Sequence, residues 1–278
     1  MDLILNFQII GGGNEMKKWL MMVVSAVLLA GLLSACGTSD KSSGDGGKEE
    51  KVLKMGTSAD YKPFEYIDTA KSDNIIGFDV DIAKAITKKL GYKLQIQDME
   101  FNGLVTALQN KQIDFVLAGM TPNEERKKSV DFSDIYYSAN HLIISKKDSG
   151  IKTKEDLKGK TVGVQLGSIQ EGIAQDLKNK EKINLKIESR NRIPELIQEV
   201  TAGRYDAAII EDTVAKGYLK NDKKLAGYEI PVVEEAGSAI AFQKGSKLTK
   251  EFNAELKKMK ENGELDKLIV KWFGADAK

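Results

Sequence analysis

The sequence is poor in the side chains that build metal and redox sites, with one cysteine, Cys36, and one histidine, His141, in 278 residues. A single cysteine excludes a disulfide within the chain. One histidine, without a CxxC or HExxH motif, leaves the usual transition-metal sites without a set of ligands. His141 is therefore interpreted as structural, and no metal or cofactor is expected.

The sequence also lacks an excess of charge of either sign, with 42 Lys and Arg against 41 Asp and Glu. Proteins that bind nucleic acids usually carry a basic surface, so nucleic acid is not an expected partner. The hydrophobic fraction of 41% and the charged fraction of 30% are ordinary for a globular protein. The length allows one or two domains.

The one long apolar run lies near the start of the chain. Met16 is followed by two lysines, a mainly apolar stretch and the tetrapeptide Leu33-Ser34-Ala35-Cys36. This pattern is typical of a secretory signal, and the tetrapeptide resembles the lipobox of bacterial lipoproteins. We predict a lipoprotein signal peptide over 16–35 and a lipid on Cys36 that anchors the protein at the extracytoplasmic face of the cell membrane. A single membrane-spanning helix is the competing interpretation.

Two short segments flank this signal. Residues 1–15 precede a complete signal peptide and are interpreted as an over-extended start of the reading frame. Residues 36–51 comprise the cysteine and a stretch rich in Gly, Ser and charge, which predicts a flexible linker.

From Val52 onward, strand and helix patterns alternate. The β-α-β order predicts mostly parallel sheets with helices on both faces, and its recurrence after residue 150 predicts two α/β lobes with a cleft between them. A final helical stretch after a strand suggests a return to the first lobe. The predicted strands are 52–57, 92–96, 114–118, 161–165, 186–189, 207–210 and 238–243, and the main predicted helices are 79–90, 193–201, 251–273 and one from about Ile169.

The stretch GMTPNEERKKSVDFSDIYY, residues 119–137, begins where the strand 114–118 ends. Open α/β sheets bind their ligands at that edge. Arg126 in this stretch is either a surface arginine or a two-pronged donor for a carboxylate, a role for which Lys127 and Lys128 are less suited.

Five segments in this order resemble the extracellular solute-binding proteins of polar amino-acid ABC importers. They are Tyr61–Glu65 (YKPFE), Gly77–Asp81 (GFDVD), Asp114–Arg126, Val162–Val164 (VGV) and Gly167–Ser168. The resemblance runs from about Val52 to Phe273.

The resemblance implies an α/β fold, a two-lobed periplasmic-binding-protein-like clamp of type II, in which each lobe is a mostly parallel sheet flanked by helices. Such lobes close on a ligand held between them. It also implies that residues 52–142 and 236–278 form lobe 1 and residues 143–235 form lobe 2. The two crossovers would fall near 140–145 and 234–238.

The resemblance further implies how the charged groups of an amino acid are held. Arg126 would bind the α-carboxylate together with backbone N–H groups near Ser168 at the start of a helix, although a plain N-cap role for Ser168 is an alternative. The Gly119 carbonyl and the Thr121 hydroxyl would accept from the ammonium. The acid that completes this set is left open: Glu211 aligns with the family's aspartate without a gap, whereas its neighbour Asp212 has the expected residue type.

The side-chain pocket implied by the resemblance has Tyr61 and Phe101 as facing walls, with core packing as their alternative role. Aromatic faces favour cationic side chains, and Asp60, Glu65 and Glu100 would add negative charge. Ser58 departs from the pattern, because lysine- and arginine-binding relatives carry an aspartate there. The implied ligand-binding residues are Ser58, Asp60, Tyr61, Phe101, Ala118, Gly119, Met120, Thr121, Arg126, Gln165, Ser168, Ile169, Gln170, Glu211 and Asp212.

The function implied by the resemblance is a lipid-anchored receptor that passes a polar amino acid to an ABC permease and its ATPase. Arginine, lysine or histidine is favoured as the ligand, and glutamine or cystine is the alternative. A different class is an enzyme on the same scaffold, such as a cyclohexadienyl dehydratase, in which Glu211 would act as a general acid. A sensor that presents its closed form to a signalling partner is a third interpretation that the sequence does not separate.

Overall fold

The computed structural model describes residues 51–231 and 236–274. The predicted signal peptide, the lipidation site Cys36, the segment 1–15 and the linker up to residue 50 lie outside the described residues, so these predictions stay predictions. Among the helices that are described, none is long and apolar enough to cross a membrane.

One five-stranded sheet is built mostly from the first half of the described chain. Its order is β5-β1-β6-β15-β7, with β1 parallel to β5 and β6, and β15 antiparallel to both β6 and β7. These strands are β1 (Val52–Thr57), β5 (Lys93–Asp98), β6 (Phe115–Val116), β7 (Val130–Phe132) and β15 (Ala241–Gln243).

A second five-stranded sheet has the same plan. Its order is β11-β10-β12-β9-β13, with β10 parallel to β11 and β12, and β9 antiparallel to both β12 and β13. In each sheet four strands therefore share one direction, and the strand that arrives from the other lobe, β15 or β9, runs against them. These strands are β9 (His141–Lys146), β10 (Thr161–Gln165), β11 (Lys186–Arg190), β12 (Ala207–Glu211) and β13 (Leu225–Ile230).

Five short strands lie outside the two large sheets. β8 (Tyr137–Ala139) pairs antiparallel with β14 (Ala236–Ser238), and a three-stranded sheet is formed by β2 (Asp60–Tyr61), β3 (Glu65–Ile67) and β4 (Ile75–Ile76). The chain leaves the first lobe after β8 and returns through β14, so this pair carries both crossings.

Helices flank the sheets and bury one face each, as α1 illustrates. In α1, Ile82, Ala83 and Ile86 are fully buried while Lys84 and Lys88 are exposed, which is the helical spacing read from the sequence. The helices are α1 (Phe78–Lys89), α2 (Leu104–Gln109), α3 (Glu124–Ser129), α4 (Ile169–Asn179), α5 (Ile193–Ala202), α6 (Asp212–Asn221), α7 (Lys247–Glu261) and α8 (Glu264–Phe273), with 3-10 turns at Phe101–Gly103 and Glu155–Leu157.

The two-lobed α/β architecture agrees with the sequence prediction, but three details differ. The predicted strand 238–243 is divided between β14 and β15, which belong to different sheets. The predicted helix 251–273 is two helices, because Gly263 has a φ of 74° and interrupts the helical backbone. The first crossing is limited to Asn140, between β8 and β9, so β9 occupies the rest of the range 140–145 near which a crossover was predicted. The exact lobe boundaries stay predictions.

Gly77 fixes the segment that contains Tyr61 and Glu65. The first N–H groups of α1, which have no partner inside the helix, donate instead to the carbonyls of Pro63 and Phe64, each at 3.0 Å. This contact brings the chain so close that a Cβ on Gly77 would lie 1.9 Å from the Phe64 carbonyl oxygen, and Gly77 has a φ of 145°. A residue with a side chain does not fit there.

We expect Gly77→Ala to lower the free energy of unfolding by more than about 2 kcal/mol, because it adds a backbone clash to a strained φ. Gly91→Ala is the matched control, since Gly91 also has a positive φ, 75°, but no atom lies within 4 Å of its Cβ position. We expect that control to cost about 1 kcal/mol. Urea unfolding of both variants measures the difference, and equal losses would show that the close approach at Gly77 is unimportant.

Candidate functional site

Strand ends from both large sheets meet at one cavity. Ser58 follows β1, Ala118 lies two residues after β6, and Gln165 and Glu211 are the last residues of β10 and β12; all four line the cavity. It contains about 460 Å³ of space, part of it open to solvent. Its position at the carboxyl ends of parallel strands is the usual ligand site of open α/β sheets.

Most of the residues predicted for the site line this cavity. The structure places three of them elsewhere: Asp60, Met120 and Asp212 are not among the lining residues. Met120 is 1% exposed and belongs to a hydrophobic cluster with Phe101, and its carbonyl accepts the N–H of Ala239. Its role is therefore core packing.

Arg126 carries the positive charge of the cavity. The short helix α3 begins after Asn123, whose side chain accepts the Arg126 N–H at 2.8 Å. The guanidinium donates to the carbonyl oxygen of Thr121 at 2.6 Å and to that of Gly167, in the other lobe, at 2.8 Å. Its carbon lies 5.3 Å from the centre of the Phe101 ring.

The charge of Arg126 has no anionic partner in the part of the chain that the structure describes, where no ion pair includes it. Arg126 is 9% exposed, and burial lowers its pKa to about 10. The group is therefore still a cation at neutral pH. A buried guanidinium held only by carbonyl dipoles is a site for an anion.

The N-terminus of α4 lies beside this cation. The Ser168 hydroxyl accepts the N–H of Glu171 at 3.2 Å and donates to the Gln165 carbonyl at 2.7 Å, so Ser168 is an N-cap. The N–H groups of Ile169 and Gln170, in the first turn, have no acceptor within the helix. All three residues line the cavity, so the cap role of Ser168 and an anion site at the helix start are compatible.

The structure distinguishes the two candidate acids at the end of β12. Glu211 is 4% exposed and lines the cavity; its Oε2 accepts from the Tyr61 hydroxyl at 3.3 Å. Asp212 is turned to other partners, with Lys216 Nζ at 2.6 Å and the N–H of Asn140 at 3.2 Å. The geometry favours Glu211 over Asp212. Burial raises the pKa of Glu211 to about 8.

Tyr61 and Phe101 both line the cavity and are 8% and 9% exposed. Tyr61 packs on Phe64 with ring centres 5.6 Å apart, and its ring edge lies 3.0 Å from where a Cβ on Gly119 would stand. Phe101 contacts Arg126 as described above. Both aromatic residues therefore combine core packing with contact to the cavity.

Two of the acids expected near the pocket mouth are held by an arginine of the other lobe. Asp60 and Glu100 form ion pairs with Arg192 at 3.4 Å and 3.2 Å. Asp60 also accepts the N–H of Ile193 at 2.6 Å and the Ser58 hydroxyl at 2.9 Å. Of the three predicted acids, only Glu65 lines the cavity.

Four lining residues were not predicted for the site. Ala139, Gly237 and Ser238 belong to the paired crossing strands β8 and β14, whose proximity depends on the three-dimensional fold. His141 is 2% exposed, its Nδ1 lies 3.3 Å from Gln170 Nε2, and burial lowers its pKa to about 4. It is neutral at physiological pH and supports Gln170. Within the residues the structure describes, no cluster of three or more His, Cys, Asp or Glu side chains is arranged to hold a metal.

Glu65 and Asp79 form a buried carboxyl pair behind Tyr61. Asp79 Oδ2 accepts the Gly119 N–H at 2.8 Å and the Tyr136 hydroxyl at 2.7 Å. Burial and the neighbouring Asp79 raise the pKa of Glu65 well above its usual range, and burial raises that of Asp79 to about 6. Both Glu65 oxygens and Asp79 Oδ1 are buried without a hydrogen-bond partner, and a proton on Glu65 that is donated to Asp79 would satisfy the pair at neutral pH.

The cavity as a whole has two poles. Arg126 and the first amides of α4 form a positive pole, and the opposite pole, which accepts a cation, is formed by the Gly119 carbonyl and by Glu211, which a bound ammonium would ionise. A small molecule with a carboxylate and an ammonium matches both poles, whereas either charge alone would leave the other pole unpaired.

Comparisons with known proteins give a consistent result. The family model for bacterial extracellular solute-binding proteins, family 3, matches residues 53–275. The arginine-binding extracellular protein ArtP of Bacillus subtilis (strain 168) is 58% identical over 260 residues, which cover 93% of this chain and 98% of that protein.

Two solved structures of an ancestral arginine-binding protein are also similar. The one bound to arginine has a TM-score of 0.75 at 41% identity and covers 81% of this chain and 99% of its own. The one bound to glutamine has a TM-score of 0.74 at 40% identity, with the same coverage.

The shared proton predicts different effects for two similar substitutions. Glu65→Gln keeps a donor toward Asp79 and should change the free energy of unfolding at pH 7 by less than about 1 kcal/mol. Asp79→Asn can keep an oxygen on the Gly119 and Tyr136 donors, but it makes both hydrogen bonds neutral and turns an NH2 group toward the Glu65 proton, so it should cost about 2–3 kcal/mol.

The pH dependence gives a second check by urea unfolding. The pKa of Glu65 is raised in the folded protein, so its contribution to stability is complete below its unfolded pKa and is lost as pH rises toward the folded pKa. Glu65→Gln lacks this loss and should gain stability relative to wild type as pH rises. Equal costs for the two variants, or a Glu65→Gln cost that does not vary with pH, would contradict the shared proton.

Proposed function

This chain belongs to the bacterial extracellular solute-binding proteins, family 3, and we propose that it is the receptor of an ABC importer for basic amino acids, with arginine as the preferred ligand. The family and the two-lobed fold predicted from the sequence are thereby confirmed. The observation that carries the proposal is the buried Arg126 guanidinium, which has only carbonyl partners in the described structure and lies in a cavity that also holds a buried acid.

The backbone-like part of an amino acid would bridge the two lobes. Its carboxylate would accept from N–H groups of Arg126 that the two carbonyls leave free, and from the first amides of α4. Its ammonium would lie among Glu211, the Gly119 carbonyl and the Thr121 hydroxyl. Each lobe contributes to both ends of the ligand, so binding favours the closed arrangement.

The preference for a basic side chain is supported by the charges of the cavity lining. Among the described residues that line the cavity, Arg126 is the one cation, and it is assigned to the α-carboxylate, so no positive charge is left for an acidic side chain. Tyr61 and Phe101 offer aromatic faces to a cation. The similarity to an arginine-binding relative at 58% identity supports arginine in particular.

Glutamine is the alternative ligand that a specific observation favours. Ser58 and Gln165 line the cavity and can hydrogen-bond to an amide. A related ancestral arginine-binding protein has also been solved with glutamine. Calorimetric titration with arginine, lysine, histidine, glutamine, glutamate and cystine ranks the candidates.

We propose that the cleft binds without catalysing a reaction. The family and the similar proteins named above are binding proteins. Glu211, the group that a dehydratase would use as general acid, is engaged with the ligand ammonium in this account. Lipidation of Cys36 would keep the receptor beside its permease and ATPase.

We expect Arg126→Ala to weaken binding of every amino acid by about 3–5 kcal/mol, roughly 100-fold or more, because the ligand carboxylate loses its counter-charge. Arg126→Lys should recover only part of this loss, since an ammonium lacks the two-pronged geometry. Arg204→Ala is the control, because Arg204 is exposed and pairs with Glu199. Calorimetry on the three variants tests the assignment, and unchanged affinity in Arg126→Ala would refute it.

We expect ligand binding to release roughly one proton at pH 7. In the ligand-free protein the pKa of Glu211 is about 8, and a bound ammonium favours the ionised form, so affinity should rise with pH between about 6.5 and 8. Titration in buffers with different ionisation enthalpies counts the protons, and Glu211→Gln should abolish the release. A binding enthalpy independent of the buffer would show that Glu211 is already ionised or lies away from the ammonium.

A further inference from the structure

Arg192 joins the lobes at a place separate from Arg126. Its Nη1 and Nη2 donate to the two carboxylate oxygens of Asp98 at 2.9 Å and 3.2 Å, and its Nε donates to Glu100 at 3.2 Å. Nη1 also lies 3.4 Å from Asp60 and 3.5 Å from the Ser58 hydroxyl. All of these partners belong to the first lobe, whereas Arg192 precedes α5 in the second.

The start of α5 adds a backbone contact between the same lobes. The Ile193 N–H donates to Asp60 Oδ2 at 2.6 Å. Asp60 therefore caps a helix of the opposite lobe, where a carboxylate is stabilised by the unpaired amides and the helix dipole. This contact exists only while the lobes are together.

The contacts range from buried to exposed. The side chain of Asp60 is 9% exposed, that of Arg192 21%, and those of Asp98 and Glu100 37% and 43%. Exposed pairs contribute little, but a bidentate arginine within a network, next to a nearly buried carboxylate, is the arrangement in which ion pairs do contribute. Opening the cleft would leave three neighbouring carboxylates without this cation.

The network adjoins the cavity without entering it. Asp60 precedes Tyr61 and Glu100 precedes Phe101, so two of the three acids of the network directly precede an aromatic residue of the cavity lining. On the other lobe, Gln165 Nε2 donates to the Asn191 carbonyl at 3.0 Å, next to Arg192. The network therefore forms only when the cavity-lining residues of the two lobes lie next to one another.

We propose that Arg192 and the start of α5 form a latch with Asp60, Asp98 and Glu100 that holds the lobes together and slows ligand release to the same extent for every ligand. Arg192 is a positioning residue, because it acts through the lobes and does not touch the ligand. The latch also neutralises the acids that would otherwise attract a basic side chain, which leaves selectivity to the cavity lining. Its effect on ligand release rests on the proposed function, whereas its effect on lobe separation does not.

The test compares Arg192→Gln with wild type and with Arg190→Gln. Arg190 is the matched control, since it lies two residues away but pairs within its own lobe, with Glu199 at 3.0 Å and the Tyr205 ring at 5.0 Å. Stopped-flow fluorescence measures the dissociation rates of arginine, lysine and glutamine, and small-angle X-ray scattering of the ligand-free chain measures its radius of gyration.

We expect Arg192→Gln to raise all three dissociation rates by the same factor, about tenfold, and to enlarge the ligand-free radius of gyration. The dissociation rates and radius of gyration of Arg192→Lys should lie between those of wild type and Arg192→Gln. This variant provides a second reading if Arg192→Gln does not fold. Combining Asp98→Asn with Arg192→Gln should raise the dissociation rates little beyond those of Arg192→Gln alone, because Asp98 and Arg192 take part in the same interaction. Sodium chloride should speed release from wild type more than from Arg192→Gln.

Two results would overturn the latch. Dissociation rates and radii in Arg192→Gln equal to those of wild type and Arg190→Gln would show that the network contributes nothing to closure. Unequal factors, with basic ligands gaining affinity over others, would show that Asp60, Asp98 and Glu100 act on specificity instead. If wild type binds none of the amino acids, the proposed function fails, and the ligand-free radius still decides whether the latch exists.

Discussion

The site depends on one buried cation. The Arg126 guanidinium is held by a carbonyl oxygen from each lobe, Thr121 and Gly167, and by no carboxylate within residues 51–231 and 236–274. Carbonyl dipoles compensate only part of the cost of burying a charge, which is why the pKa of Arg126 falls to about 10. An anion that reaches the guanidinium completes its charge balance, and it does so best when both lobes surround it.

The fold supplies the complementary charge through the register of β12. That strand ends at Glu211, so this carboxyl enters the cavity from the lobe opposite Gly119 and Tyr61. Behind Tyr61, the Glu65–Asp79 pair holds a proton and limits the negative charge at this end. The cavity therefore has a cationic end at Arg126 and an end with one titratable acid, Glu211, and Arg192 neutralises the acids that lie just outside it.

Local patterns predicted most of the fold, and the resemblance to the solute-binding family predicted the centre of the site. β1 and β10 have the bounds read from the sequence, because apolar periodicity and turn residues act over a few positions. The sequence marks the strand end before Gly119 and the helix start at Ser168. Arg126 lies in the stretch that begins at that strand end. One residue, Gly263, was not recognised as a helix boundary. Its positive φ separates α7 from α8, which the sequence predicted as one helix.

Contacts between distant residues could not be predicted in this way. Asp60 adjoins Tyr61 in sequence, so it looked like a ligand acid, yet its partner Arg192 is 132 residues away. The choice between Glu211 and Asp212 required the end of β12, since Glu211 is the last residue of the strand and Asp212 already begins α6. β8 and β14 are paired in space, although all of the second lobe lies between them in the sequence. This pairing brings Ala139 and Gly237 to the cavity.

The central claim is that the buried guanidinium recognises the α-carboxylate. It is tested most directly by calorimetric titration of the wild-type chain with arginine and with agmatine, which is arginine without its carboxylate. We expect arginine to bind and agmatine to bind roughly 100-fold more weakly or not at all. Equal affinity for the two molecules would contradict it, because the cavity would then recognise the side chain and leave Arg126 without a ligand partner.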